Sequence, residues 1–191
     1  MPQLAKDQVL TAPALGLLEL ESIARGVVVV DALVKRAPVQ INLAQPTSPG
    51  KFVIVFTGPV GEVEEAFSAG VETAGPLLID KLLLPQLAIA VKQTLEGKPE
   101  ARLPLDSVGI VETHSVAASI LAADTSLKRA SVRLTHLHLA RGIGGKAWFV
   151  VCGQQSDVEA ALSEAAASIE PNVLLATEMI ARPHRDWTLL R

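Results

Sequence analysis

The stretch VKRAPV, Val34–Val39, returns as LKRASV, Leu127–Val132, with Lys35 and Lys128 separated by 93 positions. The echo extends far beyond six residues. Between Leu15–Val39 and Val108–Val132, nine of 25 columns are identical, among them Gly16/Gly109, Glu19/Glu112, Ser22/Ser115, Asp31/Asp124 and Lys35/Lys128. The register then slips by two, and from Gly50 against Gly145 eight of the next 21 columns are identical, including Lys51/Lys146 and Gly58/Gly153. Chance at average composition gives about three matches over both blocks. The chain is therefore a tandem duplication. Its expected division is a tail over 1–12, a first domain over 13–97, a linker over 98–106 (in EGKPEARLPLD) and a second domain over 107–191.

Two copies resolve a segment that one leaves ambiguous. The four valines of SIARGVVVVDALVKRA suggest a strand, but Ile23, Val27, Val30, Val34 and Ala37 fall at helical spacing. Val116, Ile120, Ala123, Leu127 and Ala130 repeat that spacing on a background poor in valine, behind Ser22 or Ser115 as N-cap. Tertiary packing thus outweighs the β preference of valine. A short strand precedes each helix (ALGLLEL, SVGIVET). A strand, a glycine-bearing loop and a second apolar strand (KFVIVFTG, KAWFVVCG) follow it. A second helix comes next, opened in copy two by SDVE, which reads as a capping box from Ser156 to Glu159. LIDKLLLP and LATEMIARP close the copies as strands, and QLAIAVKQTL reads as a short helix after the first. The predicted fold class is α+β: two tandem ferredoxin-like β-α-β-β-α-β sandwiches.

Composition narrows the function. With 49% hydrophobic residues among 191, the chain can bury a sizeable core. A net charge of −3 with scattered basic residues argues against nucleic acid as a partner. The single cysteine, Cys152, precludes an intramolecular disulfide or a cysteine-only metal cage within one chain. No apolar run reaches membrane-spanning length and no export signal is evident, so the expected location is cytoplasmic. A mean hydropathy of +0.37 with 3% aromatic residues describes a surface that buries itself against partners.

Several residues invite a chemical reading. The glycine and lysine of PTSPGK and RGIGGK lack the P-loop spacing, and Phe52 and Ala147 stand where a magnesium-binding hydroxyl belongs. His136 and His138, two apart on a strand, share one face, yet no third metal ligand is evident and copy one has Leu43 and Gln45 there. Interface polar residues are the better reading, and no metal site is expected. Cys152 in WFVVCG reads as a buried, inert thiol. Glu19 and Glu112 match between copies, and equivalent residues of duplicated domains stand far apart, so they are not a catalytic pair. No catalytic residue and no cofactor is expected.

Two like domains in one chain imitate two neighbouring subunits, so three chains can close a ring of six near-equal positions. Loops near its axis need small residues and glycines, as PTSPG and RGIGG supply. ALGLLELESIARGVVVVDALVKRAPV, GIVETHSVAASILAADTSLKRASV, HLARGIGGKAWFVV and the late IARPH resemble the bacterial microcompartment shell proteins, specifically the tandem-domain, trimer-forming class. The likeness covers about Pro13 to Arg191 and is greatest to the propanediol-utilisation type.

The resemblance implies a structural shell protein rather than an enzyme. It implies a homotrimeric, pseudohexagonal tile that packs with hexameric and pentameric shell proteins in the shell of a cytoplasmic microcompartment. Small polar metabolites would pass a central pore formed by Thr47, Ser48, Pro49 and Gly50 of one copy and Gly142, Ile143, Gly144 and Gly145 of the other. Arg141 beside it would favour anions. Lys35, Lys128 and Arg182 would lie on tile edges, with Leu84 in the place of the arginine in copy one. Relatives with cysteine in the phrase matching PTSPGK can hold an iron-sulfur cluster on the axis, whereas Ser48 offers no thiolate. An electron-conducting cluster carrier and an unrelated small-molecule-binding α+β oligomer are the alternatives.

Overall fold

The computed structural model describes residues 13–98, 106–140 and 142–184. The expectations for the tail, for most of the linker, for Arg141 and for residues 185–191 lie outside the described residues. In the first domain β1 (Ala14–Leu20), α1 (Ile23–Arg36), β2 (Gln40–Thr47), β3 (Lys51–Gly58), α2 (Val60–Ala74) and β4 (Leu78–Leu84) follow one another, and α3 (Ile89–Leu95) leads out. The second repeats them as β5 (Ser107–Thr113), α4 (Val116–Arg129), β6 (Arg133–Leu139), β7 (Ala147–Gly153), α5 (Gln155–Ala167) and β8 (Leu174–Ala181). Each sheet is antiparallel, in the orders β2-β3-β1-β4 and β6-β7-β5-β8. Among the described residues no helix is long and apolar enough to cross a membrane.

Strand alternation divides the first sheet between two cores. Leu18, Leu20, Phe52, Ile54 and Phe56 meet Val29 and Leu33 of α1 and Val63 and Ala66 of α2. Leu15, Leu17, Val53 and Val55 on the opposite face belong to a second cluster that includes Leu87 and Val91, and also Ile120, Leu134 and Phe149 of the second domain. The second cluster therefore runs continuously from the first domain into the second, while the first stays within its own domain. Glycine is required at Gly16, where the ring of its cross-strand partner Phe56 lies over the strand and an added Cβ would be 2.2 Å from Phe56 Cζ.

Three expectations are corrected. First, Ser115 and Ser22 cap their helices as expected, accepting from Ala118 and Arg25 N–H at 3.2 Å each, but α1 does not bury the whole of the expected stripe. Gly26, Val29 and Leu33 face the core and, of the expected stripe, Val30 and Ala37 pack against it, while Ile23, Val27 and Val34 remain 43%, 59% and 47% exposed. Second, Ser156 caps nothing: α5 starts at Gln155 behind Gln154, with no side-chain cap bond. Gln154 shares the extended backbone of Pro59 before α2, so the exit from the strand sets where the helix begins, and Gln155 Nε2 instead donates to Glu159 Oε1 at 3.0 Å. Third, Leu84 is not the counterpart of Arg182. Leu84 pairs with Leu15 as Ile180 pairs with Val108, whereas Arg182 lies beyond β8 in the left-handed region, with φ 53°.

Gly16→Ala is expected to lower stability by about 1–3 kcal/mol, the usual range for overpacking. Denaturant unfolding measures this, and an unchanged midpoint would show that Phe56 moves aside freely.

Candidate functional site

The stripe that α1 leaves exposed is the one α4 buries. Val116 and Ile120 of α4, counterparts of Ile23 and Val27, are fully buried, because α4 packs on β4 and α3 of the first domain as well as on its own sheet. Asp124 anchors that seam. Its carboxylate is 3% exposed, accepts the Ala88 N–H at 2.7 Å and receives Lys128 Nζ at 2.6 Å. Lys128 also donates to the Gln86 carbonyl. At the head of the helix, Ser115 Oγ donates to Asp80 Oδ2 at 2.5 Å, while the counterpart of Asp80 in β8 is Ala176. A hydrogen bond to a buried charged group is worth about 1.5–3 kcal/mol, so these contacts fix the domains to each other. In α1 the matching pair, Asp31 and Lys35, bridges at 2.6 Å with side chains 59% and 72% exposed. The recurring Asp-x-x-x-Lys, Asp31/Lys35 and Asp124/Lys128, is the sequence signal for this seam, although spacing alone gives the carboxylate no role.

The glycine-bearing loops of the two domains come together. An added Cβ at Gly145 would lie 3.5 Å from the Ser48 carbonyl oxygen, and Gly145 itself has φ 82°, a conformation glycine adopts at no steric cost. Gly142 and Gly144 have φ of 73° and 67° and are exposed, as are Ser48, Pro49 and Gly50; Ile143 is half-buried. Thr47 ends β2 and is buried, so it forms the root of its loop rather than the tip. The lysine following each loop turns back onto its own sheet: Lys51 Nζ meets the buried Glu19 at 2.9 Å and Lys146 Nζ meets Glu112 at 3.2 Å. The lysines and glutamates thus brace the loops.

His136 and His138 lie on one face with Trp148, whose ring is 4.5 Å from His136 and 5.9 Å from His138. Burial, reinforced by the charge of His138, holds His136 below the ordinary imidazole pKa. The tryptophan was not singled out from sequence. Cys152 is buried in β7, paired in register with Val108. With Ser48 in the turn and the one cysteine in a strand interior, the two glycine-bearing loops carry no thiolate, and these residues do not fit an iron-sulfur cluster.

Comparison with known proteins agrees with the duplication. The BMC domain matches residues 14–87 and again 107–183. The chain belongs to the BMC-domain family of microcompartment shell proteins. It is 42% identical over 174 residues to the bacterial microcompartment shell protein PduT of Citrobacter freundii, covering 91% of this chain and 94% of that one. Over 83 residues it is 35% identical to the carboxysome shell protein CcmK2 of Synechocystis, covering 42% of this chain and 79% of that one. A microcompartment protein of Desulfitobacterium hafniense superposes with a TM-score of 0.85 at 32% identity, over 91% of this chain and 96% of that one. The fused permuted hexameric shell protein MSM0275 shares the fold, with a TM-score of 0.60 at 21% identity over 82% of this chain and 83% of that one. This tandem BMC protein is a structural component of the microcompartment shell.

Proposed function

We propose that three chains close into a pseudohexagonal tile with a central pore, and that the tile acts without catalysing a reaction. One observation carries the reading: the surface that α4 buries within the chain is presented, unburied, by α1. A heterologous contact whose two halves sit at opposite ends of one unit repeats until it closes. Ile23, Val27 and Val34, with Asp31 and Lys35 beside them, await the segment after β8 of a neighbouring copy, as α4 receives the segment after β4. Closure after three copies gives six domains around the axis, and the adjacency of Ser48 and Gly145 supports gathering the loops of both domains there.

In such a tile Ser48, Pro49, Gly50, Gly142, Ile143, Gly144 and Gly145 line the opening with hydroxyl, backbone and small groups, suited to small polar metabolites. Lys35, Lys128 and Arg182 are assigned to the outer edges. Lys128 holds the outer end of the in-chain seam and keeps 43% of its side chain exposed, which supports a role for lysines here both within and between tiles. The partners are further copies and the hexameric and pentameric proteins of the same shell.

Three measurements test the parts separately. Val27→Asp puts a charge where the counterpart Ile120 is buried; it should sediment near the 20.1 kDa of one chain, and persistent trimers would refute the seam. Arg182→Ala, which removes a side chain beyond β8 and keeps the backbone there, should keep trimers but abolish ordered sheets under the electron microscope; normal sheets would remove Arg182 from the edges. Ser48→Phe should slow the passage of a small polar solute through reconstituted shells without altering the trimer, and equal flux would place the route elsewhere.

A further inference from the structure

The His136–Trp148–His138 group has no counterpart in the first domain, where Leu43, Val53 and Gln45 occupy the matching positions. Neither the BMC fold nor the seam therefore requires imidazoles here. Strand alternation puts all three rings on the sheet face away from α4 and α5, because Phe149, next to Trp148, packs into the helix-side core with Val158. His138 pairs with Trp148 one position out from Leu139 and Ala147, which form the root of the glycine-rich loop. The two imidazoles are 6.3 Å apart between centroids and 7° from parallel, and both are partly exposed.

We propose that His136 and His138 together bind a borderline transition-metal dication of the Cu(II), Ni(II) and Zn(II) class. Two imidazole nitrogens at about 2.0–2.1 Å from one ion place their ring centres about 5–6 Å apart. The observed separation of 6.3 Å is just beyond that, so both side chains turn toward each other when the metal binds. Trp148, stacked on His136, limits how far that ring can stray. Imidazole donors suit copper, nickel and zinc, with copper bound most tightly, whereas magnesium and calcium require oxygen ligands. Among the described residues no group of three or more histidine, cysteine or carboxylate side chains is gathered, so water completes the coordination. The site lies within one chain and is independent of the ring and pore readings.

Trp148 makes the site readable. With Trp187→Phe in the full-length chain, Trp148 is the remaining tryptophan of the two. Titration with copper(II) chloride alone should quench its fluorescence, with saturation at one equivalent per chain, and magnesium chloride should have no effect. His136→Leu with His138→Gln installs the residues that the first domain already accommodates, so the fold should be retained by circular dichroism. Copper affinity should then fall at least tenfold, and either single substitution should cause most of that loss. Absence of quenching, or the same titration curve in the double variant, would overturn the proposal.

Discussion

Asp124 is a buried carboxylate that has to be satisfied, and much of the molecule follows from how it is satisfied. Its acceptors take the Ala88 amide and the Lys128 ammonium, binding the second domain to the chain leaving the first. Around it α4 buries apolar residues on more than one side, including Val116, Ile120 and Ala123. Because α1 carries the same sequence pattern without the same cover, the chain has a half-made contact at its start. On the proposed reading, duplication makes the intramolecular seam the template for an intermolecular one.

In the proposed pore, the braced loops would have to keep their shape while offering little side-chain bulk, which glycines alone would not secure. Here the lysine after each loop is tied to a glutamate on the central strand of its sheet, Lys51 to Glu19 and Lys146 to Glu112. The tips stay small while the roots stay fixed. Ser48 leaves the loop without a thiolate, which separates this tile chemically from one that carries an iron-sulfur centre on its axis.

Most of the architecture was legible because the repeat supplied two independent samples of each element. The valine-rich α1 was identified as helical because α4 shows the same spacing without the valines. What a linear pattern could not reveal was which of two apolar stripes faces which partner. Ile23, Val27 and Val34 share the helical spacing but stay exposed, and Gly26, Val29 and Leu33 face the sheet. Both stripes have helical spacing, so periodicity alone cannot rank them. Leu84 was matched to Arg182 through the proline that follows each, and only the strand register showed that the repeats differ in length near that point. The ring stack on Trp148 depends on cross-strand pairing and a bulge between Leu134 and His136, neither of which spacing encodes.

Electron microscopy of the purified wild-type chain is the most direct test of the idea that the in-chain seam is copied between chains. Class averages down the axis should show a plate of six similar lobes from three chains, with the loops of Ser48 and Gly145 around a central opening. Particles of a single chain, a ring with another number of chains, or these loops on the outer rim would contradict it.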